Sequence, residues 1–97
     1  MTRLSDEEAR AALAEGLTGW ILEGRAIAKE YRFASFRAAI AFIDRVADAA
    51  EDAQHHPDLF NRYHRVRVTL TTHSEGGVSA KDVALARAIE ALAGEEP

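Results

Sequence analysis

Three histidines occupy positions where proton chemistry is feasible: the adjacent pair His55-His56, followed at once by Pro57, and His73 farther along the chain. An unperturbed imidazole titrates near ~6.5, so its acid and base forms are both accessible at neutral pH. Glu51 lies four residues before His55; if the helix continues that far, carboxylate and ring share a face and the acid can orient the imidazole. Residue types alone leave simpler uses open. Adjacent histidines at a helix end can answer the negative end of the dipole, and a histidine after Thr71-Thr72 can be a solvated strand end. A metal site is not indicated, because the chain has no cysteine and no histidine pair at helical spacing. Ser74 and Ser79 lack the flanking glycines of a nucleophile elbow. Gly76-Gly77 suits a tight turn better than an anion cradle, since Asp82 already supplies negative charge in the next helix. Arg62, Arg65 and Arg67 form a positive strip, read first as a solvated strand face and secondly as a contact for an anionic partner.

The elements that must position these groups are legible from periodicity. Ser5 with Glu8 forms a capping-box pattern that opens a helix fading near Glu15-Gly16. Thr18 to Glu23, a turn at Glu23-Gly24-Arg25, and the alternating Ile27, Tyr31 and Phe33 predict a hairpin over 18–33. Ser35 to about Gln54 or His55 is the strongest helix, stopped by Pro57. Phe36, Ala39, Ile40, Ile43, Val46, Ala47 and Ala50 lie on one face, while Ala38, Ala41, Phe42 and Ala49 form a smoother flank available to a partner. Asp58 to Phe60 reads as a short strand, and Arg65 to Thr71 as a longer one with Val66, Val68 and Leu70 inward. His73 would continue the outward parity of that strand. Ser79-Ala80-Lys81-Asp82 caps a last helix carrying Val83, Leu85, Ala86, Ile89 and Leu92. Trp20 suits core or interface packing. The order α-β-β-α-β-β-α predicts an α+β sandwich, with an antiparallel sheet and its helices gathered on one face.

Length and charge narrow the function classes. The 97 residues predict one domain over 1–97, and a 47% hydrophobic, 29% charged composition is that of a folded protein. A net charge of −4 argues against a general binder of nucleic-acid backbones. Absence of cysteine removes disulfides and thiol nucleophiles. With no spanning apolar run and no basic-then-apolar leader, a soluble cytoplasmic protein without membrane attachment is expected.

The ordered set Glu51, His55-His56-Pro57, Tyr63, His73 and Asp82, with three, five, nine and eight residues in the successive gaps, resembles the signature of the pterin-4a-carbinolamine dehydratases. Gly19-Trp20, Glu23-Gly24-Arg25, Phe33 to Phe36, Phe60-Asn61, Val68 to His73 and Lys81-Asp82-Val83 extend the similarity from Leu4 to about Ala93. The resemblance implies a four-stranded antiparallel sheet with three helices. It also implies loss of water from a 4a-hydroxytetrahydropterin to give the quinonoid dihydropterin, within tetrahydropterin recycling. The pterin is then substrate, and neither cofactor nor metal is needed.

For the site, the resemblance implies His55 and His73 as the principal acid–base pair. His56 would bind or polarise the pterin, and Glu51 would orient the site. Contacts to the pterin would come from His55, His56, Pro57, Thr72, His73, Ser74, Glu75 and Asp82. Leu59 departs from the tryptophan common two positions after His-His-Pro, keeping apolar contact but giving up an aromatic face and an indole donor. Assembly into homodimers or homotetramers is implied, with room for a regulatory protein partner. Two other readings fit the same resemblance: a non-catalytic dimerisation or coactivator module for a transcription regulator, and a dehydratase acting on a different pterin.

Overall fold

In the computed structural model, residues 3–94 are described, in the order α1 (Asp6–Leu13), β1 (Ile21–Glu23), β2 (Ala26–Arg32), α2 (Phe36–Ala53), β3 (Asp58–Arg62), β4 (Arg65–Leu70), a 3-10 turn (His73–Glu75) and α3 (Ala80–Ala93). The strands form one antiparallel sheet ordered β1-β2-β4-β3. The α+β sandwich expected from the element order is therefore present, with β2 and β4 in the centre.

Register explains the two faces. Ile27 pairs with Leu70, Lys29 with Val68 and Tyr31 with Val66, so Ile27, Tyr31, Val66, Val68 and Leu70 line one side. That side packs on Ala39, Phe42 and Val46 of α2 and on Leu85, Ala86 and Ile89 of α3. The other side stays open, carrying Ile21, Glu30, Phe60 and a series of arginines. No helix among the described residues is long and apolar enough to cross a membrane.

Several boundaries differ from the sequence expectation. β1 is three residues long and not six, because the chain is still turning before it: Trp20 N–H donates to Leu17 O, and Gly19 has φ +90°. α1 stops at Leu13, ahead of Gly16 with φ +86°. β3 runs on to Arg62.

The buried stripe of α2 is also rotated from the expected one. Phe42 has no exposed surface and packs its ring 5.0 Å from Tyr31 and 4.8 Å from Phe33. Phe36, by contrast, is half exposed, and Ala47 is exposed. Side chains tilt toward a helix's N-terminus, so a residue in the first turn projects past the sheet, whereas Phe42 lies over the aromatic end of β2. The Ala38, Ala41, Phe42, Ala49 flank is therefore not a free interface, since Phe42 is core and Ala49 packs against it.

Candidate active site

The end of α2 decides where the two adjacent histidines go. Gln54 is left-handed, with φ 51° and ψ 41°. His55 N–H donates to Ala50 O at 3.1 Å and Gln54 N–H to Glu51 O at 3.2 Å, the paired bonds of a Schellman motif. This reversal breaks the helical spacing between Glu51 and His55. The expected Glu51–His55 pairing gives way to another: Glu51 Oε2 lies 2.6 Å from Nε2 of His56, on the surface.

His55 instead turns toward the start of α3. Its Nε2 lies 2.5 Å from Oδ1 of Asp82, whose side chain has no exposed surface. The other carboxylate oxygen accepts from Thr72 Oγ1 at 2.8 Å and from the backbone N–H of Ser79 at 2.9 Å. Ser79 Oγ lies 2.7 Å from Thr72 Oγ1 and accepts from Lys81 N–H. Thr72 has one hydroxyl proton, given to Asp82, so Ser79 is the donor of the hydroxyl pair. A carboxylate only accepts, so His55 donates its Nε2–H, and Nδ1 is the ring nitrogen left to exchange protons. Asp82 is the third residue of a capped helix, where the dipole suits its charge. Asp82, expected to contact substrate, is sealed from solvent with both its oxygens engaged inside the chain. Thr72, also expected to contact substrate, is buried in the same network.

His55 lies in the wall of a cleft of about 450 Å³ between α2 and α3, with Ala49, Asp52, Ala53, Lys81, Ala84, Leu85 and Ala88. His73 lines a different depression of about 300 Å³, with Arg25, Ala26, Thr71, Gly76 and Gly77. The two rings line different depressions of the chain. The reason lies in the backbone. β4 ends at Leu70, Thr72 pairs with Gly77 in an isolated bridge, and Gly76 N–H closes the intervening turn on His73 O. His73 and Ser74 are consequently exposed in a 3-10 turn and do not continue strand parity, while Glu75 is half-buried. Yet His73 directly follows Thr72, one residue from the network that holds His55. Pro57 is half-buried next to His56.

Ser79 as a donor to the network, Lys81 and Asp52 as cleft residues, and Arg25 beside His73 lie outside the site expected from the sequence. The Ser79 pattern carried a usable signal, because a capping box bends the third-residue acid back to the chain segment before the helix. No group of three or more His, Asp or Glu side chains among the described residues could hold a metal ion.

A model of the family described as pterin 4 alpha carbinolamine dehydratase matches residues 2–92. The chain belongs to the pterin-4a-carbinolamine dehydratase family. Relatives provisionally named pterin-4-alpha-carbinolamine dehydratase include one from Thermomicrobium roseum, 47% identical over 96% of this chain and 99% of its own. Another, from Chloroflexus aurantiacus, is 50% identical over 97% of this chain and all of its own. Among solved structures, a transcriptional coactivator/pterin dehydratase from Brucella melitensis superposes with TM-score 0.89 at 44% identity, covering 96% of this chain and 100% of that one. A pterin dehydratase-like protein identified as a RuBisCO assembly factor in the alpha-carboxysome superposes at 0.68 with 28% identity, covering 78% of this chain and 90% of that one.

Proposed function

We propose that this chain removes water from a 4a-hydroxytetrahydropterin, giving a quinonoid dihydropterin, in the recycling of a tetrahydropterin cofactor. The reading is carried by one observation, the seating of His55 against a fully buried Asp82 in the wall of an open cleft.

The reaction needs two proton transfers. The leaving hydroxyl departs as water once protonated, and the lone pair of the adjacent ring nitrogen forms the C=N bond. A base takes the proton from the nitrogen that becomes neutral in the product. An imidazole with one nitrogen tied to a carboxylate is fixed in rotation and tautomer and works through the other. His55 supplies that group through Nδ1, His73 supplies the second proton-transfer site, and His56 with Glu51 holds the pterin edge. Each well-placed proton transfer contributes ~10²–10⁴-fold.

The test is dehydration of freshly generated carbinolamine, followed as quinonoid product above the spontaneous rate. His55→Ala and His73→Ala should each lower kcat/KM by about 10²-fold or more. Near wild-type turnover by both variants would remove the acid–base assignment. A wild-type protein that never exceeds the spontaneous rate would remove the activity itself.

A further inference from the structure

The open face of the sheet carries a charge arrangement that the dehydratase reading does not use. Arg32 of β2 stands opposite Arg65 of β4, and Arg65 stands opposite Arg62 of β3. Three guanidinium side chains thus form one cross-strand row on the face away from the helices. Like charges directly opposite one another destabilise a sheet, and this row occurs on a chain whose net charge is −4. A charged edge strand is a common defence against sheet-to-sheet pairing. That accounts for Arg62 at the edge, but not for Arg65 and Arg32 on the two central strands.

Partners within the chain engage only one end of the row. Arg32 reaches Glu30 at 3.1 Å, with its side chain 68% exposed. Among the described residues, the guanidinium groups of Arg62 and Arg65 have no hydrogen bond or ion pair. Arg67, expected as part of the same strip, is instead committed to Glu23 across the sheet. Beside the row, Phe60 is 61% exposed, two positions before Arg62 on the same face of β3.

We propose that this end of the open face docks an acidic peptide segment of a partner protein, its carboxylates bridging Arg32, Arg65 and Arg62 and an apolar side chain covering Phe60. The row spans two inter-strand spacings, roughly 10 Å, which is room for two or three carboxylates in bidentate contact with guanidinium groups. A nucleic-acid strand fits less well. It requires a continuous positive track, whereas Glu23, Glu30 and Asp58 share the same face. The site is separate from the His55 cleft, so it stands or falls independently of the proposed activity.

The experiment measures fluorescence anisotropy of labelled deca-glutamate, deca-lysine and a deca-thymidine oligonucleotide with the full chain at low and high salt. Deca-glutamate binding that weakens with salt, falls by about tenfold or more in the Arg62→Gln/Arg65→Gln double variant and survives in Arg62→Lys/Arg65→Lys supports the proposal. Circular dichroism of the variants, together with unchanged dehydration rates where the wild type is active, shows that the fold is intact. Absence of deca-glutamate binding, or equal binding by the glutamine variant, overturns it. Tighter binding of the oligonucleotide overturns it in favour of a nucleic-acid partner. Salt-sensitive self-association that is lost in the glutamine variant, without peptide binding, overturns it in favour of a second copy.

Discussion

At the scale of single residues, Asp82 carries the most consequence. It caps α3, accepts from Thr72 and Ser79, and fixes His55, all without exposed surface. Replacing it separates structure from chemistry. Asp82→Ala strands three donors in the interior and should destabilise the fold by about 3–5 kcal/mol, read as a lower denaturant midpoint with unchanged m. Asp82→Asn keeps the volume but presents an amide N–H toward either His55 or the Thr72–Ser79 side. That variant should fold, and it should lose roughly 10²-fold in dehydration kcat with a smaller change in KM, because the ring nitrogen left to exchange protons is no longer defined. An Asn variant with wild-type kcat would reduce Asp82 to a helix cap. Asp82 was legible in the sequence as a capping-box acid, four positions into a Ser79-led helix start. Its bond to His55 was not, since that depends on the turn at Gln54 and on the packing of α2 against α3.

At the scale of elements, that turn is the joint on which the site depends. Gln54 holds a left-handed conformation without being glycine, at a cost of order 1 kcal/mol. The Schellman bonds around it send His55 inward and leave His56 with Glu51 outside. Gln54→Gly relieves the strain while keeping the geometry. It should raise stability by about 0.5–1 kcal/mol, or roughly 2–8 °C in Tm, and leave dehydration unchanged. A fall in Tm would mean that the Gln54 side chain contributes more than its backbone costs. Pro57 announced the end of α2 correctly. The chain's direction afterwards could not be read, because glutamine gives no sign of the left-handed region that glycine would have marked. The two apolar stripes of α2 were similarly ambiguous: 3.6-residue periodicity reveals a face, but only Tyr31 and Phe33 beneath it determine that Phe42 is inside and Phe36 is not.

At the scale of the whole molecule, a second polar cluster fastens α3 to the start of the sheet, far along the helix from Asp82. Glu90 accepts from Trp20 Nε1 at 3.1 Å, Lys29 Nζ at 3.0 Å and Tyr31 Oη at 2.5 Å. The alternation in β2 placed Tyr31 correctly in the core, but a charged residue near the end of α3 gave no hint that it would face inward to meet the tyrosine. Burial alone would raise the Glu90 carboxyl, yet the bonds from Tyr31, Lys29 and Trp20 and the charge of Lys29 outweigh it and hold it below the usual glutamate range. The Tyr31 phenol is pushed well above its ordinary value, by burial first and then by the hydrogen bond and charge of Glu90. Because the folded carboxyl is depressed, the unfolded chain binds this proton first as pH drops. The stabilisation from Glu90 is therefore fully present above the ordinary glutamate value of about 4.3, and it is lost as pH falls through the lower folded value. Glu90→Gln should lower stability near neutral pH by about 1–3 kcal/mol and flatten the decline below pH ~4 relative to wild type. Urea titrations across that range measure both effects. Parallel acid limbs in the two proteins would show that other carboxylates govern the acid sensitivity, and that this cluster fixes geometry without setting the pH response.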